Sequence, residues 1–532
     1  MDSFLKHINK NTTLTLLTLF LIAFSVRLYA TPFDVVLRKD AVIYLMKSME
    51  ITRHDFSPIL THNSGWPLFM SPFLFLLGGK SVLGNMVYAR MMSCLVGAAC
   101  VIPLAYISRE VLERKYYAIP LFLYAFSPYM VLSASTAYSE PLFTFMLLTS
   151  IYFIYKGREN RVYFMASSIT ASLAYYVRPT GIYVLAAVIL SMLHHTRGKT
   201  RRGYMHVMCV ILVFLLVSLP FLYQRHVFFG SPFYYGENSK YFVDDPEEKW
   251  STNIPVPSIG EYLTTHTYSD YYDKFLINGL LNIILVFILM INPALLVFFP
   301  YGMIKHFNDA RYTPIMIVFA SWILGHTPAW SILGTMRHLW VLIPFIHIVS
   351  VAAIIDLVRR YRLLTTLLPV FLILFASISV SEVSGYRNQE SKRVIDDGLE
   401  WSRWIAENVE GNLAVIDGMD LILMNSENMT IGGFTGGRYL YTSNRLNMTR
   451  PGYFNDFEPA MQWLEESGIT HIVLDENNMG RRPYLREVNP AEGDTGYLTE
   501  VYSNQDTESA WKIRIYLINW SLYGENRGYS RV

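Results

Sequence analysis

The chain has 532 residues, of which 52% are hydrophobic and only 16% charged, against about 25% charged in an ordinary soluble domain. Aromatics reach 15%, with 37 Tyr and 32 Phe, and the net charge is +2. This composition excludes disordered, collagen-like and disulfide-scaffold proteins and argues against a wholly soluble enzyme. Cys94, Cys100 and Cys209 lie in apolar stretches. They show no CxxC and no Cys/His metal spacing, and read as small buried hydrophobes. The charge is unevenly divided: residues 385–532 carry 22 acidic and 14 basic groups, a net of −8, which leaves +10 on residues 1–384. The basic residues form short clusters between apolar runs, so there is no nucleic-acid footprint.

The first apolar run, 12–30, is long enough to cross a bilayer. It follows Lys6 and Lys10. Its end at Ala30 has the small residue of a signal-peptide cleavage site, but Arg27 interrupts the run and many spans follow, so a retained anchor is expected. Further spans are predicted at 84–108, 117–133, 139–156, 162–177, 179–195, 205–224, 275–304, 312–328, 335–357 and 363–382. The total is about 11, with a possible break in 275–304 near Asn292-Pro293. The run 65–79 is short and holds Pro67 and Pro72, so it reads as an interfacial or re-entrant helix. If it does not cross, the basic loops at Arg109/Lys115, Lys156/Arg161, Arg197/Arg202, Lys305/Arg311 and Arg359/Arg362 all fall on the cytoplasmic side, as the positive-inside rule requires. The loops 31–83 and 225–274 and the C-terminal region then lie outside. That region alternates amphipathic helices (400–409, 459–467) with apolar strands (413–416, 469–474, 500–502, 512–518), which is the pattern of an α/β domain. The chain is thus expected to divide into a membrane domain, 1–384, and an extracytoplasmic α/β domain, 385–532.

Ionisable groups at membrane depth are costly, and each is a functional hypothesis. Asp34, Asp40 and Asp55 fall in the first external loop. Asp40 precedes an apolar stretch, where it is either a helix N-cap or a reactive carboxylate. Glu140 opens a span, again as a cap or a site residue. Arg178-Pro179 and Arg337-His338 sit at outer ends of spans, against the positive-inside trend. A guanidinium there either snorkels to headgroups or binds phosphate. His54, His62 and His326 lack metal-ligand spacing and read as satisfied or solvent-facing. Taken together, carboxylates and arginines gather at one side of the membrane on different spans. Such a cluster suits an anionic lipid headgroup arriving laterally and an acceptor arriving from water.

The order of several short motifs resembles the GT-C superfamily of polyprenyl-phosphate-sugar-dependent glycosyltransferases. The branch it is most similar to is that of protein O-mannosyltransferases and the lipid A aminoarabinose transferase. Over about residues 12–380 the matching features are Asp40-Ala41-Val42-Ile43-Tyr44, Trp66-Pro67-Leu68 to Leu77-Gly78-Gly79, Arg90, Ser127-Pro128, Ser139-Glu140-Pro141, Arg178-Pro179-Thr180-Gly181 and Arg337-His338-Leu339 to Pro344. The family has an Asp-Glu pair where this chain has Asp40-Ala41. The Trp-Trp-Asp motif of oligosaccharyltransferases has no counterpart, so metal-dependent en bloc transfer is not expected.

The resemblance implies a polytopic α-helical GT-C protein with juxtamembrane helices. It implies a glycosyltransferase that moves a hexosyl or mannosyl unit, with inversion and without a metal, from a polyprenyl (dolichyl) phosphate. The acceptor is a protein or a lipid-linked glycan. No cofactor is implied. Asp40 is the expected general base and Glu140 a second catalytic carboxylate. Arg178 is the principal phosphate ligand, with Arg337, His338 and Tyr44 also binding substrate. The stretch 432–437, Gly-Gly-Phe-Thr-Gly-Gly, lacks the Lys-Ser/Thr of a P-loop and reads as a flexible loop. Asn428, Asn447 and Asn519 open glycosylation sequons. Two rival functions are a transporter or flippase of lipid-linked sugars, disfavoured by the lack of duplicated halves, and a polysaccharide ligase or polymerase.

Overall fold

A computed structural model describes residues 12–33, 37, 39–59, 62–78, 82–196, 201–233, 242, 259–361, 364–390, 395–415, 430–435, 438–442, 446–449, 457–475, 496–507 and 512–528. Asp34, the acidic stretch 244–248 and Asn428 lie outside the described residues. The N-terminal part is a helical bundle. α1 (Thr12–Ala30) is followed by two helices of the first loop, α2 (Lys39–Thr52) and α3 (Gly65–Leu77). Then come α4 (Val82–Ala99), α5 (Val101–Val111), α6 (Ala118–Phe126), α7 (Pro128–Ser135), α8 (Glu140–Gly157), α9 (Val162–Val177), α10 (Gly181–Thr196) and α11 (Arg201–Phe229).

α12 (Ile259–Thr265) precedes α13 (Tyr268–Met290), in which Tyr272–Leu281 is π-helical. α14 (Phe298–Lys305), α15 (Thr313–Leu333), a 3-10 turn (Met336–Leu342) running into α16 (Ile343–Arg360), and α17 (Leu364–Glu390) complete the bundle. Among the described residues, six helical segments are long and apolar enough to cross a membrane by length and composition, or seven if the pair α6 and α7, bent by 56°, counts as one span. The chain is therefore a multi-pass membrane protein. α8, α9, α10 and α15 are helical at the places predicted for spans.

The run predicted at 84–108 continues through Cys100, whose backbone stays helical and whose carbonyl accepts from the Leu104 N–H at 3.1 Å, as one segment to Val111. Two predicted spans are broken. The run at 117–133 bends at Ser127-Pro128, because proline cannot donate to the preceding turn and forces Ser127 into an extended conformation. The run at 275–304 breaks at Asn292-Pro293, as its sequence suggested, and Asn292 Oδ1 accepts from the Ala294 N–H at 3.0 Å. The segment 65–79 forms the 13-residue α3, about 20 Å long. α1 packs in the bundle with Arg27 fully buried. The Arg27 guanidinium donates to the Ala23 carbonyl at 3.0 Å and lies 4.9 Å from the Tyr124 ring centroid.

Beyond the bundle, α18 (Ile395–Asn408), α19 (Phe457–Glu466) and α20 (Trp520–Gly528) accompany a seven-stranded sheet. Its strands are β1 (Gly411–Val415), β2 (Thr430–Thr435), β3 (Arg438–Thr442), β4 (Leu446–Thr449), β5 (His471–Asp475), β6 (Leu498–Ser503) and β7 (Ile513–Ile518), in the order β2-β3-β4-β1-β5-β7-β6. The parallel centre (β4, β1, β5) carries the amphipathic helices, and the edges are antiparallel hairpins. One expectation is corrected here. The glycine-rich stretch expected to be a flexible loop is largely β2, paired with β3 across a register shift at Gly432/Phe434. Glycines at a bulge serve a strand as well as a loop. Asn447 donates to Asn412 Oδ1 at 3.0 Å between paired strands, and Asn519 Oδ1 accepts from the Leu522 N–H at 3.2 Å at the start of α20.

Candidate active site

Four separated stretches converge at one end of the bundle. Asp40 lies in the first turn of α2, Glu140 opens α8, Arg178 follows α9, and Arg337 and His338 lie in the 3-10 turn before α16. Side-chain contacts join them in a line. His62 Nε2 stands 3.5 Å from Asp40 Oδ1, and Arg337 Nη2 donates to Asp40 Oδ2. Arg337 Nε lies 3.2 Å from Glu140 Oε1, and Arg178 Nη1 lies 2.5 Å from the same oxygen. Arg178 Nη2 meets His338 Nδ1 at 3.0 Å. Carboxylates thus alternate with guanidiniums, which lowers the cost of holding four charges at membrane depth. Glu140 is only 1% exposed.

Asp40 is not used as an N-cap: α2 begins at Lys39, and the Asp40 carboxylate turns to Arg337 and His62 instead. Burial alone would raise its pKa. The charges of Arg337 and His62, with their hydrogen bonds, outweigh burial and hold the carboxyl well below its ordinary value. Asp40 is therefore ionised at neutral pH.

Tyr44 lies one helical turn along α2. Its hydroxyl is 3.3 Å from Ser139 Oγ, and its ring meets His62 edge-on at 5.2 Å. All six residues singled out from the sequence, Asp40, Tyr44, Glu140, Arg178, Arg337 and His338, therefore gather in one cluster. Asp55 does not join it, and its carboxylate faces Lys47 at 3.6 Å and the Ser57 N–H at 2.9 Å.

His62, read from the sequence only as satisfied or solvent-facing, is also a member of the cluster through Asp40. Its only sequence signal is a position just before α3, within the same external loop as Asp40. Tyr138 is another, with its ring 4.7 Å from the Arg337 guanidinium. His326 is buried behind the cluster, its ring 5.8 Å from that of His338, with Nδ1 donating to the Trp322 carbonyl at 3.0 Å. Trp322 Nε1 donates to the His338 carbonyl at 2.9 Å and so fixes the 3-10 turn.

The supporting backbone is tightly set. Ala137, just before Tyr138, Ser139 and Glu140, has φ +58, a left-handed conformation that costs a residue with a Cβ about 1–2 kcal/mol. Trp66 Nε1 donates to the Ala137 carbonyl at 3.1 Å and holds that turn. Near Arg178, a Cβ on Gly181 would come within 2.3 Å of the Tyr175 backbone nitrogen. Only glycine permits that close approach. Asn63 Nδ2 donates to the Tyr175 carbonyl at 2.5 Å, tying the loop that carries His62 to the end of α9. β2 of the C-terminal sheet packs against α2, so the sheet reaches the helix that carries Asp40.

Residues 68–223 match the family model described as dolichyl-phosphate-mannose-protein mannosyltransferase. No curated protein matches the chain in sequence. Among solved structures, the chain is similar to ArnT from Cupriavidus metallidurans bound to undecaprenyl phosphate. That match has a TM-score of 0.58 and 12% identity, and covers 94% of this chain and 97% of that one. It is similar to the Archaeoglobus fulgidus oligosaccharyltransferase in complex with zinc and sulfate, with a TM-score of 0.57, 13% identity, and coverage of 87% and 68%. It also resembles the A. fulgidus oligosaccharyltransferase AglB in complex with an inhibitory peptide and a dolichol-phosphate, with a TM-score of 0.54, 14% identity, and coverage of 87% and 70%. Part of the chain thus matches a glycosyltransferase family model, and most of the chain shares the fold of these solved structures.

Proposed function

We propose that the protein transfers a single sugar from a polyprenyl (dolichyl-type) monophosphate to an acceptor on the extracytoplasmic side. The observation that carries this reading is the convergence of two arginines and two carboxylates from four separate elements at one end of the bundle. Arg178 and Arg337 each keep N–H donors beyond those spent on Glu140 and Asp40, since a guanidinium has five. These suit a phosphate oxygen that gains charge as the sugar leaves. Asp40, ionised and accessible, takes the proton of the acceptor hydroxyl. The acceptor oxygen then bonds to C1 of the sugar, the C1–O bond to phosphate breaks, and polyprenyl phosphate departs. Attack opposite the phosphate inverts C1. Two fixed guanidiniums supply the positive charge that a metal would otherwise bring to the leaving group, so the step is metal-independent in this reading. Glu140, shared by both arginines, sets their spacing. His62 offers the Asp40 proton a way to water.

The same reading gives the topology. If α8, α9, α10 and α15 cross as well, and α4/α5, α6/α7 and α13/α14 each cross once, the spans total 11, in agreement with the basic-loop pattern. An odd number places the charged cluster and the 385–532 domain on the extracytoplasmic side of a cell membrane. The β2–β3 hairpin, beside α2, would then present a protein or a lipid-linked glycan to Asp40.

Purified protein in nanodiscs, given a labelled polyprenyl-monophosphate sugar, tests the proposal. Label appearing on an acceptor with release of polyprenyl phosphate supports it. In proteoliposomes, movement of intact donor across the bilayer without bond cleavage would support a flippase and sink the transferase reading.

A further inference from the structure

The helices that hold the charged cluster at one end border an open cavity at the other. α8 runs 18 residues from Glu140 to Gly157, about 27 Å. Its far end meets the start of α9, the end of α10 and the start of α15 around a cavity of about 240 Å3. Arg158, Ser191, His194, His195, Thr313 and Phe164 are among the residues that line it.

Charge at this cavity is one-sided. The acids around it are taken by other cations: Glu110 and Glu159 by Lys156 at 2.9 and 3.2 Å, and Asp309 by Arg311 at 2.7 Å. Among the described residues no carboxylate pairs with Arg158, His194 or His195. Arg158 is also fixed in place. Its Nη2 donates to the Ala310 carbonyl at 2.6 Å, and its guanidinium lies 4.9 Å from the Tyr155 ring centroid. That leaves most of its five N–H donors for something else.

Ser191 supplies an independent sign. It is 5% exposed and its Oγ has no hydrogen-bond partner, although it lines the cavity. Buried hydroxyls in folded proteins almost always have one. At Thr313-Pro314 the 21-residue α15 begins without a side-chain cap, so its positive end adds to the same field.

We infer that this cavity binds a phosphate group, held by Arg158 and the Ser191 hydroxyl at the start of α15, with His194 and His195 beside it. The group reaches it either as the headgroup of an anionic phospholipid or as free phosphate. Bound there, it would join the ends of α8, α9, α10 and α15, the opposite ends of which position Glu140 and Arg178.

Full-length protein in detergent is tested by native mass spectrometry with phosphatidylglycerol against phosphatidylcholine, and by equilibrium dialysis with labelled inorganic phosphate. Retention of one phosphatidylglycerol in preference to phosphatidylcholine supports the site with a lipid source. Saturable inorganic phosphate binding without lipid preference supports it with a solution source. In either arm Arg158→Gln should weaken binding about tenfold or more, Ser191→Ala should weaken it less, and Arg158→Lys should restore part. Arg114→Gln, on a neighbouring basic loop outside the cavity, should bind as the parent does. Equal losses for Arg158→Gln and Arg114→Gln, or no saturable binding of either probe by the folded parent, would overturn the inference.

Discussion

Asp40 holds its charge under opposing influences: burial disfavours the carboxylate, while Arg337 and His62 favour it more strongly. Because its folded pKa is depressed, the stability contributed by this pairing is present above the ordinary carboxylate range. It is lost only as pH falls through the lowered folded value. Removing the guanidinium reverses the balance, since burial remains. Arg337→Gln should therefore move the acid limb of the rate–pH profile upward from its parent position below the ordinary carboxylate range. An unmoved limb would show that Asp40 does not set it. Arg178 makes a separate prediction, because its paired donors suit phosphate in a way that a single ammonium does not. Arg178→Ala should raise the donor KM at least about tenfold, and Arg178→Lys should recover part of that loss. Normal donor KM in both folded variants would leave Arg178 as an anchor only. These arginines and carboxylates were legible in the sequence because charge at a span boundary is costly and stands out against an apolar background. His62 was not, because a histidine near an interface carries no such cost. Its link to Asp40 also depends on how the first loop folds back over α2.

At the scale of the element, loops before and after α8–α10 are set by backbone constraints rather than by charge. Ala137 adopts a left-handed conformation, and Trp66 holds its carbonyl. Gly181 lets the chain turn tightly against Tyr175 beside Arg178. Gly181→Ala should lower Tm measurably and weaken donor use, since its Cβ has no space without moving the Arg178 turn. Ala137→Gly should leave Tm unchanged or raised, because glycine relieves the strain at some entropic cost in the unfolded chain. A fall in Tm for Ala137→Gly as large as that for Gly181→Ala would contradict this account. Helix positions in the membrane domain were legible from apolar run length. The break at Ser127-Pro128 was not predicted, because that run is long enough to cross whether straight or bent. In the C-terminal sheet, β1 and β5 showed as strands following amphipathic helices, and β6 and β7 as later strands. β2 was hidden because glycine gives no hydrophobic alternation, and its strand character comes from pairing with β3.

At the scale of the whole molecule, the account places one charged cluster at the end of the bundle that meets the C-terminal sheet, and the excess of basic loops at the other. The opposite signs of the two regions, legible in the charge count, are those expected if the acidic region faces water outside and the basic loops lie inside. In a Cys209→Ala background, Ser503→Cys should react with a membrane-impermeant thiol reagent in intact cells, and Glu159→Cys should react only after permeabilisation. The reverse pattern would invert the topology and detach the cluster from the extracytoplasmic face.

The central claim is that Asp40 takes the acceptor proton at this cluster. Asn keeps the size and much of the hydrogen-bonding shape of Asp but takes no proton. The deciding measurement is single-turnover sugar transfer by Asp40→Asn, read beside donor binding in the same preparation, with Asp55→Asn as comparison. Asp40→Asn should bind donor and lose transfer by at least about a hundredfold, while Asp55→Asn should stay close to the parent. Transfer by Asp40→Asn at the parent rate, or a larger loss at Asp55, would contradict it.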